Sequence, residues 1–413
     1  MPIHIRDTPE SEIRGLIEAK GSICFAEFMQ VALYHPTGGY YTIARAVGAA
    51  GDYFTSPAAH PAFGALIAVQ LHRMWQLLDS PSTFDVIEMG AGDGLLAAEV
   101  AGHAPALSQL FARALRYVRV DRRVAPETAE HAEIRPHPVT AVGVPVRKAV
   151  GCFISNELLD AFPVHRFRVE GRAVKELFVT LDERGELTEA LGNPCTPMLE
   201  QRIRQLGLEL GDGFSGEVNL GIGPWMREVS DGLERGFVLT IDYGYPAEVL
   251  YGADRSAGTL KTYYRHSEGG SPYVRIGRQD MTAHVDFSSV VSEGEALGLR
   301  SLTLMPQSSF LKGLGFQAML DRLKTAQLSR RELSANTMAM LELVKPEGLG
   351  GFSVLIQERG SGVAGYMDLT PAPDAALDLP IPLLGPEHTP LMEGRYPHLA
   401  MDFDELWPSE RSL

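Results

Sequence analysis

Residues 86 to 94, Val-Ile-Glu-Met-Gly-Ala-Gly-Asp-Gly, carry an apolar run into an acid and then space three glycines two apart. Gly90, Gly92 and Gly94 can take strained torsions and let the backbone approach a ligand closely, while Glu88, at the carboxyl end of the strand, faces the cleft. A buried strand turning this sharply into a helix is the nucleotide-loop signature of a Rossmann-like sheet. A second cluster follows in Cys152-Phe-Ile-Ser-Asn-Glu-Leu-Leu-Asp-Ala-Phe-Pro163, where an apolar strand runs directly into Asn156, Glu157 and Asp160. Asn156 can accept or donate a hydrogen bond, the two acids can hold a cation, and either acid can take a released proton. The same residues could also do no more than cap a short helix.

Spacing narrows the ligand. The dinucleotide fingerprint is G-x-G-x-x-G, whereas E-x-G-x-G-x-G resembles motif I of class I S-adenosylmethionine methyltransferases. A zwitterionic cofactor suits a nearby carboxylate better than a pyrophosphate does. On the loop alone, a dinucleotide site or a plain strand-to-helix turn stays open. Leu95 to Val100 has helix-forming composition, and Leu115-Arg-Tyr-Val-Arg-Val-Asp121 reads as a second strand ending in an acid. Asp121 stands where a ribose diol would be held, or else is a helix cap or surface acid. Methyl transfer from a sulfonium needs little covalent help, because the leaving group is excellent. It needs an aligned acceptor lone pair, the task left to Asn156, Glu157 and Asp160.

These residues need a scaffold. With 413 residues, 45% of them apolar, the chain can bury a sizeable core and exceeds the usual size of one domain. Helices are expected over 10–20, 24–34 and 61–78, the last with Phe63, Leu66, Ile67, Leu71, Met74, Trp75 and Leu78 at helical spacing. Strands are expected at 84–89, 116–121, 150–155, 236–242, 299–304 and 351–358. Residues 163–181 alternate like a β-hairpin, and 196–235 look helical, with Pro224 in a first turn and Gly236 as the stop. The fold class expected is α/β, a class I methyltransferase Rossmann-like sheet with an N-terminal helical lid (1–82) and a core (83–360). The core carries insertions at about 163–235 and 306–347, the second with two helical patterns. From Val363 the chain is acidic and proline-containing with little periodicity, which suggests a surface-wrapping or partly disordered extension over 361–413.

Cys24, Cys152 and Cys195 are widely separated and form no C-x-x-C pair, which argues against a zinc site or a disulfide framework. The start lacks a basic flank and an apolar core of signal length, and no stretch reaches about 18 consecutive apolar residues, so a cytoplasmic protein with no membrane partner is expected. A net charge of -15 disfavours nucleic acid and is compatible with a basic peptide partner. A homodimer is left open.

Several longer stretches are more specific. Asn156-Glu157-Leu-Leu-Asp160-Ala-Phe-Pro163-Val164, Phe28-Met-Gln-Val-Ala-Leu-Tyr34-His35-Pro36-Thr-Gly-Gly-Tyr40-Tyr41 and Gly51-Asp52-Tyr-Phe-Thr55-Ser56-Pro57 resemble the MidA family. So do Asp242-Tyr243-Gly244-Tyr245, Gly258-Thr259-Leu260, Gln279-Asp280-Met-Thr282-Ala-His284-Val-Asp286-Phe287 and Phe310-Leu311-Lys-Gly-Leu-Gly315. The likeness runs in order from about residue 12 to 358. It implies an S-adenosyl-L-methionine-dependent enzyme acting on a protein arginine or related nitrogen. It also implies catalytic roles for Asn156, Glu157, Asp160 and His284, without a metal. Motif and resemblance together assign the cofactor to Gly51, Thr55, Ser56, Pro57, Glu88, Gly90, Gly92, Gly94, Asp121 and Asn156.

The chain departs from the family where Met89, Ala91 and Asp93 replace the loop's leucine, proline and arginine, removing a cation. Val120-Asp121-Arg122-Arg123 replaces a Glu-x-Ser-type sequence, and Leu158 and Leu159 replace two aromatics on the acceptor side. A small-molecule O- or C-methyltransferase, or a non-catalytic assembly factor, are therefore the competing functions. His284 is an acceptor-side base or a structural histidine, Tyr243 and Tyr245 wall the site or close the core, and Trp75 and Trp225 are packing residues.

Overall fold

The computed structural model describes residues 8–43, 55–123, 136–264, 267–372, 375–377 and 379–388. Its centre is a seven-stranded sheet. We label the strands in chain order: β1 (Phe84–Met89), β2 (Leu115–Asp121), β3 (His137–Thr140), β4 (Ala149–Asn156), β5 (Leu233–Asp242), β6 (Arg300–Pro306) and β7 (Ser353–Arg359). β1 is buried along its whole length, as strands covered on both faces must be. The spatial order is β6-β7-β5-β4-β1-β2-β3, and β7 alone runs antiparallel to its neighbours. After β1 the chain moves outward through β2 and β3, and after β4 it moves the opposite way. The crevice of such a sheet opens where the direction reverses, between β1 and β4. Register sets Met89 beside Ser155 and Asn156 beside Ile241, so the ends of β1, β4 and β5 share one edge.

One face of the sheet packs on helix Ala62–Leu77, helix Leu95–Leu107 and the three helices Gln307–Gly313, Phe316–Thr325 and Arg330–Glu342. The opposite face is covered by helices Ile222–Gly232 and Phe287–Ala296. The N-terminal helices Pro9–Lys20 and Phe25–Tyr34 lie on a second, five-stranded sheet made of Ile23–Cys24, His165–Glu170, Ala173–Leu181, Leu187–Gly192 and Ser215–Val218. Trp75 and Trp225 are buried in the two core layers.

Several details differ from the expectation. β3 escaped it because His137–Thr140 is a short, largely exposed edge segment containing a proline, with no apolar alternation to mark it. The stretch 196–235 is not continuously helical: helix Pro197–Gln205, strand Ser215–Val218 and helix Ile222–Gly232 share it. Gly236 does not stop a helix. It lies inside β5 with φ 141°, paired with Gly151 of β4 (φ 157°). The second insertion holds three helices rather than two. The described part of the C-terminal extension is not a loose wrapping: Leu369, Ala376 and Leu379 are fully buried in the main core, and Arg322 donates to Leu379 O at 2.8 Å. Among the described residues, no helix is long and apolar enough to cross a membrane.

A Cβ on Gly236 would stand 1.9 Å from the Gly151 carbonyl oxygen, a backbone atom that cannot swing away. Gly236→Ala should therefore cost roughly 3 kcal/mol, the upper end for overpacking, and lower the melting temperature clearly. Gly102→Ala, in the exposed interior of helix Leu95–Leu107 with nothing near the added carbon, should leave stability unchanged or raise it by up to about 1 kcal/mol. Equal melting temperatures for the two variants would contradict this account of the sheet.

Candidate active site

The loop after β1 is held by left-handed glycines: Gly90, Gly92 and Gly94 have φ of 72°, 52° and 84°. A Cβ on Gly94 would collide with the Arg119 guanidinium, whereas one on Gly92 would meet no protein atom within 4 Å. The loop thus presents bare backbone to open space at Gly92 and packs on protein at Gly94. Asp121, at the tip of β2, accepts from the Gly92 amide at 3.0 Å and from the Arg123 amide at 3.0 Å. Its carboxylate retains lone pairs for a further donor.

Glu88 is not exposed in the cleft. It is buried beneath the loop and accepts from the Tyr117 hydroxyl at 3.0 Å. Burial pushes its pKa up to about 8, only partly opposed by that hydrogen bond, while Asp93 adds to the rise. A cation missing from the loop sequence reappears from the neighbouring strand. Arg119 of β2 is buried, its Nη1 donates to the Asp93 carbonyl at 3.3 Å, and its Nε and Nη2 have no hydrogen-bond partner among the described residues. Sequence reading passed over Arg119 because an arginine in a strand that also carries Arg116 and ends in Asp121 looks like a surface position.

The second wall of the crevice is the turn after β4. Glu157 has φ 51°, a left-handed conformation that costs a side-chain-bearing residue of order 1–2 kcal/mol and persists only where surroundings enforce it. Here the Glu157 amide donates to Ile241 O at 2.9 Å. The amides of Leu158 and Leu159 donate to Asp242 Oδ2 at 3.1 and 2.9 Å, and Tyr243 N donates to Oδ1 at 2.9 Å. This geometry brings Asn156, Glu157 and Asp160 into one cluster, Asp160 buried and the other two half-buried. Glu157 Oε1 accepts from Asn156 Nδ2 at 3.0 Å and from Ser56 N at 3.2 Å. Asp160 Oδ2 accepts a short hydrogen bond from the Tyr243 hydroxyl. Asn156 Oδ1 and Asp160 Oδ1 are buried without partners among the described residues. Burial raises Glu157 to about 8, with Asp160 adding to it, and raises Asp160 to about 6 against the pull of Tyr243.

His284 adjoins this cluster through Tyr243, whose ring meets the imidazole edge-on at 5.6 Å. Burial, with Arg255 and Lys261 nearby, lowers its pKa to about 4, so the imidazole is neutral near pH 7 and a weak base. Tyr245 also packs on the ring, at 5.6 Å, and Asp286 caps helix Phe287–Ala296 through Ser289 N. Of the segment assigned to the cofactor, Gly51 lies outside the described residues. Thr55 caps a short helix, and Ser56 and Pro57 are buried, Ser56 Oγ donating to Gln307 Oε1 at 3.2 Å. The Ser56 amide donates to Glu157 Oε1 at 3.2 Å. Tyr34, which sequence reading did not single out for the site, bridges the two walls. Its hydroxyl donates to Ala161 O at 2.8 Å, and the Arg122 guanidinium lies over its ring at 4.0 Å.

Known proteins resemble this chain in sequence and in fold. The model of a family described as "Putative S-adenosyl-L-methionine-dependent methyltransferase" matches residues 66–305. The protein arginine methyltransferase NDUFAF7, mitochondrial, of Mus musculus is 26% identical, covering 84% of this chain and 80% of its own. The Homo sapiens protein of the same name is 25% identical, covering 84% and 83%. A Burkholderia thailandensis protein solved with S-adenosyl-homocysteine bound superimposes with a TM-score of 0.76 at 27% identity, covering 87% of this chain and 94% of that one.

Two outcomes follow from this geometry. Gly92→Val places a branched carbon in the open space over the loop, so S-adenosylmethionine binding should vanish in calorimetry while the circular dichroism spectrum stays nearly unchanged. Unaltered affinity would remove the cofactor from this loop. Glu88, raised above its unfolded value near 4.5, retains a proton in the native state between about pH 4.5 and 8 that the unfolded chain has lost. Its contribution is full below pH 4.5 and is lost as pH rises through about 8. Glu88→Gln should accordingly flatten the decline of stability across that window, by at most about 1.4 kcal/mol per pH unit, in denaturant titrations.

Proposed function

The chain belongs to this family of S-adenosyl-L-methionine-dependent methyltransferases, and on that premise we propose that its methyl acceptor is the guanidinium of an arginine in a protein. The observation that carries the reading is the pair of carboxyl groups beside the crevice, Glu157 half-buried and Asp160 buried, with no cation paired to either among the described residues. Buried carboxylates are costly unless paired, and a planar guanidinium supplies paired donors that match them. The names of the curated relatives, protein arginine methyltransferases, support the same acceptor.

The residues over the β1 loop suit the cofactor. Open space above Gly92, the Asp121 carboxylate at the β2 tip and the two unpartnered donors of Arg119 would hold its hydroxyls and carboxylate. S-adenosylmethionine, when bound, would supply an activated methyl group on a sulfonium whose leaving group is a neutral thioether. Glu157 and Asp160 hold the acceptor guanidinium in place, and Asn156 Oδ1 offers a third acceptor for its N–H groups. As the nitrogen becomes alkylated it loses a proton, which Asp160 takes, its raised pKa making it a better base than an exposed aspartate. Tyr243 donates to Asp160 and fixes its orientation. Tyr34 spans the two walls, its hydroxyl donating to Ala161 O and its ring lying under Arg122.

The charge state gives the test. Below about pH 8 Glu157 is largely protonated in the free enzyme, so the pair takes up a cation better as pH rises through that value. The KM for an arginine-containing acceptor should fall between pH 6 and 9 while cofactor affinity stays flat. Glu157→Gln should remove that pH dependence and lower turnover at least about tenfold, with cofactor affinity within about threefold, a change under roughly 0.7 kcal/mol. Mass spectrometry with labelled cofactor reads the product. Methylation of a neutral small metabolite, with arginine peptides inert, would replace this reading with a metabolite methyltransferase.

A further inference from the structure

Cysteines distant in sequence meet away from the crevice. Cys24 stands just before helix Phe25–Tyr34, and its strand Ile23–Cys24 pairs with Ala173–Leu181. Cys195 lies in the connection between strand Leu187–Gly192 and helix Pro197–Gln205. Both thiols adjoin His165 and Glu176, and the ligand atoms of all four residues lie within 4.8 Å of one another. Cys195 Sγ is 3.8 Å from His165 Nδ1 and 3.5 Å from Glu176 Oε1. The edge of a tetrahedron with bonds of about 2.1–2.3 Å is about 3.4–3.8 Å, so the two Cys195 separations match it, and the Cys24 separations, all within 4.8 Å, need close by no more than about 1 Å. His165 Nδ1 and Glu176 Oε1, now hydrogen-bonded at 2.7 Å, need only open by a fraction of an ångström.

We propose that Cys24, His165, Glu176 and Cys195 form a structural zinc site. Two thiols, an imidazole and a carboxylate are a borderline-soft, nitrogen-and-sulfur donor set that favours zinc over magnesium or calcium. A cystine between the two thiols would use neither His165 nor Glu176, and the Glu176 side chain is fully buried. Its second oxygen accepts from the Cys195 amide at 2.6 Å, an outer contact that fixes the carboxylate as metal ligands are commonly fixed. On binding, each thiol releases a proton to solvent and both sulfurs donate to the same zinc(II), with no change of oxidation state. Because all four donors come from the chain, the ion has a structural role. It ties the start of helix Phe25–Tyr34 to the five-stranded sheet, and that helix ends at Tyr34, the residue that bridges the crevice. The site does not depend on the identity of the methyl acceptor.

Elemental analysis of full-length protein purified under reducing conditions should find about one zinc per chain, and chelator-treated protein should regain it. Cobalt(II) in its place should show the intense visible bands of a tetrahedral ion and a thiolate charge-transfer band. Cys195→Ser, at an exposed position where folding is not at risk, should abolish the charge-transfer intensity of one thiolate. Cys24→Ser with Cys195→Ser should reduce bound metal to under about a tenth. Reduced wild-type protein that binds neither metal overturns the site, as does undiminished binding by the double variant. A metal-free protein whose mass falls by two hydrogens through a Cys24–Cys195 bond in air overturns it as well, in favour of a cystine.

Discussion

One carboxylate organises the carboxyl edge of the sheet. Asp242, at the end of β5, gathers amides from the turn that follows β4, and this holds Glu157 in a backbone conformation it would otherwise avoid. The cost of that conformation is small beside what it achieves. With Glu157 left-handed, its side chain meets Asn156 and Ser56, and Asp160 swings beneath Tyr243. A turn with ordinary torsions would send these groups apart, so the chemistry of the crevice depends on an interaction between two adjacent strand ends.

Burial has opposite consequences in the two walls. On the cofactor side, Glu88 is satisfied by Tyr117 and lies under the glycine loop, where its raised pKa keeps a proton and avoids an unpaired charge. On the acceptor side, Glu157 and Asp160 are also raised, but unfilled acceptor capacity remains on Asp160 and Asn156. A protein tolerates such unfilled polar atoms where a ligand completes them. The difference separates an acid whose hydrogen bonding is met within the scaffold from a cluster that still has lone pairs to offer.

The N-terminal helices are joined to the crevice by polar contacts more than by core packing. Tyr34 reaches Ala161, Tyr41 donates to Asp280 at 2.9 Å, and Arg123 of the β2 tip donates to Ile43 O at 3.3 Å. Their apolar faces lie instead on the five-stranded sheet, in a cluster separate from the two layers of the central sheet. These hydrogen bonds fasten the N-terminal helices at the margin of the crevice.

The amino-acid sequence by itself determined the strand that leads into Gly90, Gly92 and Gly94, the amphipathic helix at 62–77, and the Asn156-Glu157-Asp160 cluster. Each is written locally, in an apolar run, a helical period or a glycine spacing. It also carried the family likeness, because the motifs keep their order along the chain. Only the tertiary structure decided what depends on residues brought together from distant segments. Arg119 serves the loop from another strand, Asp242 shapes a turn some eighty residues earlier, and Ser56 spends its amide on Glu157. Gly236 looked like a helix stop because glycine has that local meaning, but its reason is the Gly151 backbone across the sheet. The cysteines looked unrelated for the same physical reason: spacing along a chain says nothing of distance once strands pair, and Cys24 and Cys195 meet only because Ile23–Cys24 and Leu187–Gly192 both pair with Ala173–Leu181.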